Sequence, residues 1–249
     1  MIKFLDLYKQ DKKLHEIILK DINKLFKKGD FILGKEVLKF EDNFKTYCKS
    51  KYAISCGNGT DALTIALKSL SLPINSEVII PAMTYCSTAF AVINAGLTPI
   101  LVDTEFLKPT IDLVDLKKKI NRKTKVILPV HLYGSVANLN GIKKIIKKKD
   151  IYLVDDCAQA HGAYDDSSNT PNKKRIGSAT DISCFSLYPG KNLGAYGDAG
   201  IITTNNKRLY NKIKKIRNLG SDKKFIHDFV GMNSRLDTIQ AIILNKKIK

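Results

Sequence analysis

From about residue 50 onward, short apolar runs alternate with stretches in which apolar residues recur at helical spacing. The apolar runs predict seven strands, at 52–56, 77–81, 98–103, 124–130, 151–155, 182–187 and 199–204. Helical spacing is clearest at 60–71, 85–95, 138–149 and 206–218. Runs that are apolar throughout, such as 126–130, suit strands that are covered on both faces. The alternation predicts an α/β fold, with a mostly parallel seven-stranded sheet and helices on both of its faces.

The N-terminal part of the chain lacks these strand signals. Residues 1–50 predict two amphipathic helices that flank a break at Gly29, Asp30 and Gly34. We expect this helical segment to precede a larger domain over residues 51–230. Within that domain, the polar stretch 165–174 predicts a loop.

The net charge of +18 raises the question of nucleic-acid binding. Only five of the 42 basic residues are Arg, which leaves 42 − 5 = 37 Lys. Arg is the residue that recognises bases and phosphates through two parallel hydrogen bonds, so its scarcity argues against such a partner. At 44% hydrophobic and 27% charged residues, the composition is that of an ordinary globular protein in which Lys is abundant.

The sequence indicates no membrane span, disulfide framework or zinc site. No apolar run approaches the ~18 residues of a membrane-spanning helix, and residues 1–7 lack the long apolar core of a signal peptide. The five cysteines, at 48, 56, 86, 157 and 184, are widely spaced and form no CxxC pair. We therefore expect a cytoplasmic protein.

A glycine motif joins the first predicted strand to a helix, where residues 57–62 are Gly-Asn-Gly-Thr-Asp-Ala. Free backbone N–H groups and the helix dipole at such a start favour phosphate binding over a plain turn. The motif also fits the G-x-G-x-x-A dinucleotide fingerprint. That fingerprint expects an acidic residue at the end of the next strand, where this sequence has Pro-Ala-Met-Thr-Tyr at 81–85.

Two adjacent carboxylates, Asp155 and Asp156, close the fifth apolar run. Side chains alternate along a strand, so the two should face opposite ways. A buried carboxylate is costly without a cation or donors, and a protonated ring nitrogen in the crevice would satisfy the inward one. Asp156 and His161 could also ligate a metal ion, but no third ligand is evident nearby.

Lys191 is the only basic residue between Arg175 and Lys207. It lies in an apolar, glycine-rich loop, where desolvation would favour an uncharged, nucleophilic amine. A lysine that merely reaches the surface is the alternative for any single position. Combined with a phosphate site and a strand-end aspartate, Lys191 points to pyridoxal 5'-phosphate (PLP), which needs an anion site, a carboxylate at its ring nitrogen and a Schiff-base lysine.

Seven motifs are spread along the chain. They are Gly-x-Gly-Thr-Asp-Ala-Leu (57–63), Pro-x-x-Thr-Tyr (81–85), His-Leu-Tyr-Gly (131–134), Asp-x-Ala-Gln-Ala-His-Gly (156–162), Phe-Ser-x5-Asn-Leu-Gly around Lys191 (185–194), Gly-Asp-x-Gly (197–200) and Gly-x-Asn-Ser-Arg-Leu-Asp (231–237). In these motifs the chain resembles the DegT/DnrJ/EryC1/StrS family of sugar aminotransferases. The resemblance implies the large domain of PLP-transferase fold type I and a homodimer with shared active sites. It also implies transfer of an amino group from L-glutamate to a nucleotide-linked keto-sugar.

The resemblance implies roles for individual residues as well. Lys191 would form the Schiff base and move protons, and Asp156 would hold the pyridine nitrogen protonated. Tyr85, which by its position alone is more often a core residue, would stack on the cofactor ring, and Gln159 would lie near the ring hydroxyl. The residues expected to bind the phosphate are Gly59, Thr60, Ser186 and, from the other subunit, Asn233. Arg235 would face the substrate across the same interface.

Two features bear on which reaction is expected. Sugar 3-dehydrases of the family carry His in place of the Schiff-base lysine, so Lys191 favours transamination over deoxygenation. Family members usually continue past the 231–237 motif into a small C-terminal domain. Residues 231–249 would begin the connection to that domain, which we expect to be missing from this chain.

Two other hypotheses stay open at this point. A homologue without the C-terminal domain could be inactive and act as a dimerisation or partner-binding module. A nucleotide-binding oxidoreductase built on the glycine motif is less favoured. The sugar, the nucleotide and the choice of C3 or C4 remain undetermined, although the motifs at 56–63 and 233–237 resemble those of enzymes that aminate a 3-keto sugar.

Overall fold

The computed structural model describes residues 5–165, 174–223 and 225–248. Seven strands in this part of the chain form one sheet: β1 (Tyr52–Cys56), β2 (Glu77–Pro81), β3 (Thr98–Val102), β4 (Thr124–Ile127), β5 (Tyr152–Asp156), β6 (Ile182–Ser186) and β7 (Gly200–Thr204). They lie in the order β1-β7-β6-β5-β4-β2-β3. Strand β7 is antiparallel to both of its neighbours, and the other four pairs are parallel. The predicted mostly parallel, seven-stranded sheet is confirmed.

The largest difference from the predicted strands is at β4, which ends at Ile127 instead of residue 130. Pro129 has no N–H group with which to extend the ladder. Its carbonyl oxygen still accepts a hydrogen bond from the Asp156 amide at 2.9 Å. The segment after β4 therefore stays beside the end of β5, although regular pairing has stopped.

Nine α-helices are present in the described residues: α1 (Leu7–Asp11), α2 (His15–Lys28), α3 (Lys35–Cys48), α4 (Gly59–Ser69), α5 (Cys86–Asn94), α6 (Leu113–Lys119), α7 (Leu139–Ile146), α8 (Lys207–Ile216) and α9 (Thr238–Lys247). The four helices predicted between strands are α4, α5, α7 and α8. The two predicted within residues 1–50 are α2 and α3. Gly29 ends α2 in the left-handed region, with φ of 68°, which is the conformation that favours glycine at this position.

Two short ribbons accompany the main sheet. One pairs Tyr164–Asp165 with Lys174–Arg175, and the other pairs Ser221–Lys223 with Ile226–His227. The first ribbon forms the two ends of the predicted loop at 165–174. Residues 166–173 of that loop lie outside the described residues.

The sheet separates two apolar cores, because side chains alternate between its faces. One core contains Phe40 and Phe44 of α3, together with apolar residues from α6, α7 and α9. The other contains residues of α4, α5 and α8, such as Ile65 and Ile213. The expected helices on both faces are therefore present. Since α3 shares a core with the sheet, the division into segments 1–50, 51–230 and 231–249 stays a prediction.

Among the described helices, none combines the length and the apolar character needed to cross a membrane.

Candidate functional site

A cavity of about 860 Å³ opens at the carboxyl ends of the strands, where ligands bind in open α/β sheets. Seven of the residues singled out in the sequence line it: Gly59, Thr60, Tyr85, Asp156, Gln159, Ser186 and Lys191. They come from the last residues of β5 and β6 and from the segments that follow β1, β2, β5 and β6. The topology thus brings together positions that are more than 100 residues apart in the sequence.

The glycine motif forms the turn from β1 into α4. Asn58 caps the helix, because its side chain accepts a hydrogen bond from the Asp61 amide at 2.8 Å. Within the described residues, the amides of Gly59 and Thr60 have no hydrogen-bond acceptor. Two free N–H groups and the positive end of the helix dipole therefore face the cavity, which favours an anion there.

Gly59 is needed because the turn passes very close to the end of β6. A Cβ atom at this position would lie 2.6 Å from the Cβ of Ser186. The absence of a side chain allows the free amides at the start of α4 and the Ser186 hydroxyl to approach the same point. This arrangement is a cradle for a group with several acceptor oxygens.

Asp156 faces the cavity from the end of β5 and is 6% exposed. Its carboxylate accepts hydrogen bonds from the Thr88 hydroxyl at 2.9 Å and from the Ala158 amide at 3.0 Å. Burial raises the pKa of Asp156 above its ordinary value, and these two neutral donors offset only part of that effect. In the described part of the chain, Asp156 has no salt-bridge partner. Its carboxylate is therefore suited to a cation supplied by a ligand.

Asp155 faces the opposite side of the sheet, as the alternation predicts. It accepts hydrogen bonds from the Thr180 hydroxyl at 2.7 Å and from Nε2 of His131 at 3.1 Å. The proton of the His131 ring lies on Nε2, because Nδ1 accepts a hydrogen bond from the Ala137 amide at 3.1 Å. Burial tends to raise the pKa of Asp155, but hydrogen bonds from His131, Ser183 and Thr180 outweigh it and hold the pKa below its ordinary value.

His131, Asp155 and Cys157 offer three potential metal ligands within 4.8 Å of one another. Both ring nitrogens of His131 and both carboxylate oxygens of Asp155 already have hydrogen-bond partners in the protein. A metal ion would have to displace these bonds, so we assign the cluster a structural role. His161, which the sequence offered as a metal partner of Asp156, does not line the cavity. Burial lowers the pKa of its ring to about 4.

Lys191 lines the same cavity as Asp156 and lies in the turn that follows β6. Its backbone amide donates to the Tyr188 carbonyl at 2.9 Å. Among the described residues, its amino group has neither a salt-bridge nor a hydrogen-bond partner, although it adds a favourable charge to the surroundings of Asp156. An uncommitted amine that faces a cavity is available to react with a ligand.

Tyr85 and Gln159 occupy two other sides of the cavity. Tyr85 precedes the first residue of α5 and is 71% exposed, so its ring is free to cover a ligand. The Gln159 side-chain oxygen accepts a hydrogen bond from the Tyr133 amide at 2.7 Å. This bond orients the side chain, and the Gln159 NH₂ group, which has no hydrogen-bond partner among the described residues, can donate to a ligand.

Asn233 and Arg235 do not line the cavity of their own chain. The segment that contains them pairs with the end of α8 through a bridge between Asn218 and Asn233. Arg235 donates a hydrogen bond to the Asn218 side chain at 3.3 Å. Asn233 is exposed, whereas the intervening Ser234 is buried.

Thr88, Asp61 and Ser234 were not among the predicted site residues. Thr88 and Asp61 line the cavity, and Ser234 contacts Asp61. Thr88 follows Thr84 by one helical turn, and the two hydroxyl groups are 2.8 Å apart. Thr84 belongs to the motif at 81–85, and a second threonine four residues later is the feature of the sequence that could have indicated Thr88. Ser234 lay within a quoted motif, but its contact with residues of the glycine turn depends on the tertiary fold.

The sequence profile of the DegT/DnrJ/EryC1/StrS aminotransferase family matches residues 12–249. The chain is 43% identical to the dTDP-3-amino-3,6-dideoxy-alpha-D-galactopyranose transaminase of Aneurinibacillus thermoaerophilus, over 100% of this chain and 67% of that protein. Among solved structures, S. venezuelae DesV in complex with a ketimine intermediate has a TM-score of 0.93 and 36% identity, over 99% of this chain and 65% of that one.

A second solved structure is NtdA from Bacillus subtilis, with bound cofactor PMP. It has a TM-score of 0.91 and 31% identity, over 99% of this chain and 55% of that one. The chain thus spans about two thirds or less of the length of these relatives. The predicted architecture, the large domain of PLP-transferase fold type I, is confirmed by these likenesses. With the profile match and the shared fold, the chain belongs to the DegT/DnrJ/EryC1/StrS aminotransferase family.

Proposed function

We propose that this protein is a PLP-dependent aminotransferase that moves an amino group from L-glutamate to a nucleotide-linked keto-sugar. One observation carries the proposal: an anion cradle, a buried carboxylate and a lysine face one cavity, and neither the carboxylate nor the lysine has a salt-bridge partner among the described residues. Each of these three groups meets a different part of PLP, namely its phosphate, its ring nitrogen and its aldehyde carbon.

The groups that line the cavity also match the chemical properties of the groups of PLP. The free amides of Gly59 and Thr60, with the Ser186 hydroxyl, supply donors for a phosphate. The raised pKa of Asp156 means that its ionised form gains from a cation nearby, and a protonated pyridine nitrogen is such a cation. A cavity of about 860 Å³ is within the range of small-molecule and cofactor pockets, roughly 300–1,000 Å³.

When bound, PLP supplies a ring that takes up the electrons released as a proton leaves the donor amino acid. The residues of this chain would hold and move protons around it. Asp156 would keep the ring nitrogen protonated, and the Lys191 amine would carry a proton between substrate carbon and cofactor. The NH₂ group of Gln159 would donate to the ring oxygen, and Tyr85 would cover one face of the ring.

We propose a 3-keto sugar nucleotide as the acceptor. The motifs at 56–63 and 233–237 support this choice, as does the 43% identity to a transaminase whose name specifies a 3-amino sugar. Lys191 supports transamination over deoxygenation. Assays with 3-keto and 4-keto sugar nucleotides, in the presence of L-glutamate, would test the choice, and faster turnover of the 4-keto compound would contradict it.

We also propose that the protein works as a homodimer in the cytoplasm. Asn233 and Arg235 lie outside the cavity of their own chain, which leaves them available to a neighbouring one. On α5, whose first turn lines the cavity, Phe90 and Ile93 are 54% and 56% exposed, as expected of an interface. All five cysteines are free, which suits a reducing compartment. Sedimentation of the PLP-loaded protein tests the dimer, and a monomer mass would contradict it.

The experiment that tests the proposed function is a visible spectrum of the protein with PLP, before and after L-glutamate and before and after borohydride. We expect a yellow band that glutamate bleaches, and reduction that fixes the cofactor on the peptide containing Lys191. Lys191→Ala should abolish both the band and the fixation, whereas Lys143→Ala, at an exposed position of α7, should leave them unchanged. Absence of the band in the unaltered protein would instead favour an inactive homologue.

A further inference from the structure

The Ser234 side chain points into the protein, where its hydroxyl joins distant parts of the chain. Ser234 is 2% exposed. Its oxygen accepts a hydrogen bond from the Gly57 amide at 2.9 Å, and its proton is donated to Oδ2 of Asp61 at 2.6 Å. A single hydroxyl group therefore contacts both the turn after β1 and the first turn of α4.

The position of Ser234 is fixed by a buried frame that does not involve any ligand. Its amide donates to the Arg217 carbonyl at 3.0 Å. The Arg217 guanidinium is buried, donates to the Ser55 carbonyl at 2.7 Å and pairs with Glu41. Ser55 lies on β1, just before Gly57. Through Arg217, Ser234 is therefore tied to β1, the strand that leads into the glycine turn.

Asp61 is an unexpected residue in an anion site. It is the third residue of α4 after the cap Asn58 and lines the cavity. An acidic side chain at this position can turn back towards the start of its own helix, as in a capping box, where it accepts from the amide of the cap residue. The helix dipole also attracts it there. A carboxylate turned back in this way would lie beside the free amides of Gly59 and Thr60, where it would compete with a phosphate.

We propose that Ser234 is a positioning residue of the phosphate site, because its hydroxyl holds the Asp61 carboxylate away from the amides of Gly59 and Thr60. The inference rests on the proposed PLP-dependent function. In the structure, the Asp61 carboxylate is bonded to Ser234 and not to the start of α4. Without that bond, the carboxylate is free to fold back over the amides and to repel the cofactor phosphate.

The test compares the binding of PLP with that of pyridoxal, which lacks the phosphate, in the unaltered protein and in Ser234→Ala. We expect Ser234→Ala to weaken PLP binding about tenfold. The lost bond is the one from Ser234 to the charged Asp61 carboxylate, and a bond of that kind is strong enough for an effect of this size. Pyridoxal binding should stay the same. If the binding of PLP and of pyridoxal were weakened equally, the substitution would have caused a general structural defect, and the proposal would be overturned.

Two further variants test whether the Asp61 carboxylate is the group that competes with the cofactor phosphate. Adding Asp61→Asn to Ser234→Ala removes the competing charge, so the double variant should recover most of the lost PLP affinity. Ser234→Thr keeps the hydroxyl and should bind PLP more tightly than Ser234→Ala. A double variant that binds PLP no better than Ser234→Ala would overturn the proposal.

Asp61→Asn alone tests the proposal if Ser234→Ala does not fold. We expect it to bind PLP at least as tightly as the unaltered protein, and weaker binding would contradict the inference. Inorganic phosphate provides a probe that is independent of PLP chemistry. If the unaltered protein binds phosphate but not PLP, the proposed function fails, and the same comparison of variants with phosphate still decides the role of Ser234.

Discussion

Asp155 and Asp156 are neighbours at the end of β5, and both are buried, yet their surroundings differ in almost every respect. Asp155 receives hydrogen bonds from His131 and Thr180, and its pKa lies below the ordinary value. Asp156 faces the cavity with two neutral donors, and its pKa lies above the ordinary value. The first carboxylate has its partners within the fold, whereas the second is completed only by a ligand.

The difference shows how one strand supports both stability and function. Alternation along β5 sends the two side chains to opposite faces of the sheet. On the Asp155 side, the fold provides enough donors to stabilise the charge. On the Asp156 side, the charge is left partly unsatisfied, and its interaction with a cationic ligand becomes stronger for that reason.

The two residues should differ most in their effect on the rate of the cofactor reaction. Asp156→Asn removes the negative charge but keeps a side chain that can accept from the Ala158 amide. We expect the rate of glutamate-dependent bleaching of the PLP band to fall about a hundredfold or more, measured by stopped-flow absorbance, with little change in the free energy of unfolding. A rate within a few-fold of the unaltered protein would contradict the role of Asp156.

A smaller effect is expected on stability from the matched substitution Asp155→Asn. An asparagine cannot accept from all the donors that surround Asp155, so a buried N–H or O–H group loses its partner. We expect the free energy of unfolding to fall by about 2–3 kcal/mol, measured by urea denaturation of the cofactor-free protein. The folded fraction should still form the PLP band. If Asp155→Asn lost the band while remaining fully stable, the division of roles between the two residues would be wrong.

The smallest effect is on the pH dependence of stability in the cofactor-free protein. Because the folded-state pKa of Asp156 is raised, this residue lowers stability as pH rises from the ordinary value of 3.8 through the folded pKa. Asp155 has a depressed pKa and adds stability above 3.8, which is lost as pH falls through its folded pKa.

We therefore expect Asp156→Asn to gain stability relative to the unaltered protein as pH rises above 3.8. The relative loss of stability of Asp155→Asn should develop at lower pH, as pH rises from the depressed folded pKa of Asp155 to 3.8. Thermal melts at several pH values would measure both trends. PLP should remove the gain of Asp156→Asn, because the ring nitrogen then pairs with the carboxylate of the unaltered protein. The same pH trend in both variants would contradict the comparison.

The apolar runs of the sequence predicted the seven strands to within three residues, and helical spacing predicted most of the helices. Helix α6 was missed because its seven residues, Leu113–Lys119, are too few to display a helical period. The Asp112 side chain caps it by accepting from the Asp115 amide at 2.7 Å, which was the one signal available. Short helices of this kind depend more on their cap and on tertiary packing than on periodicity.

What the sequence by itself determined are the strands, the chemistry of the residues at their ends and the family, because apolar runs and motifs are local properties. Only the tertiary structure decided which partners those residues have. It places His131 within hydrogen-bond distance of Asp155 and leaves Asp156 without a salt-bridge partner among the described residues. It also places Ser234 against a turn that precedes it by 177 residues. These contacts depend on strand order and on the packing of segments far apart in the chain, which no local pattern encodes.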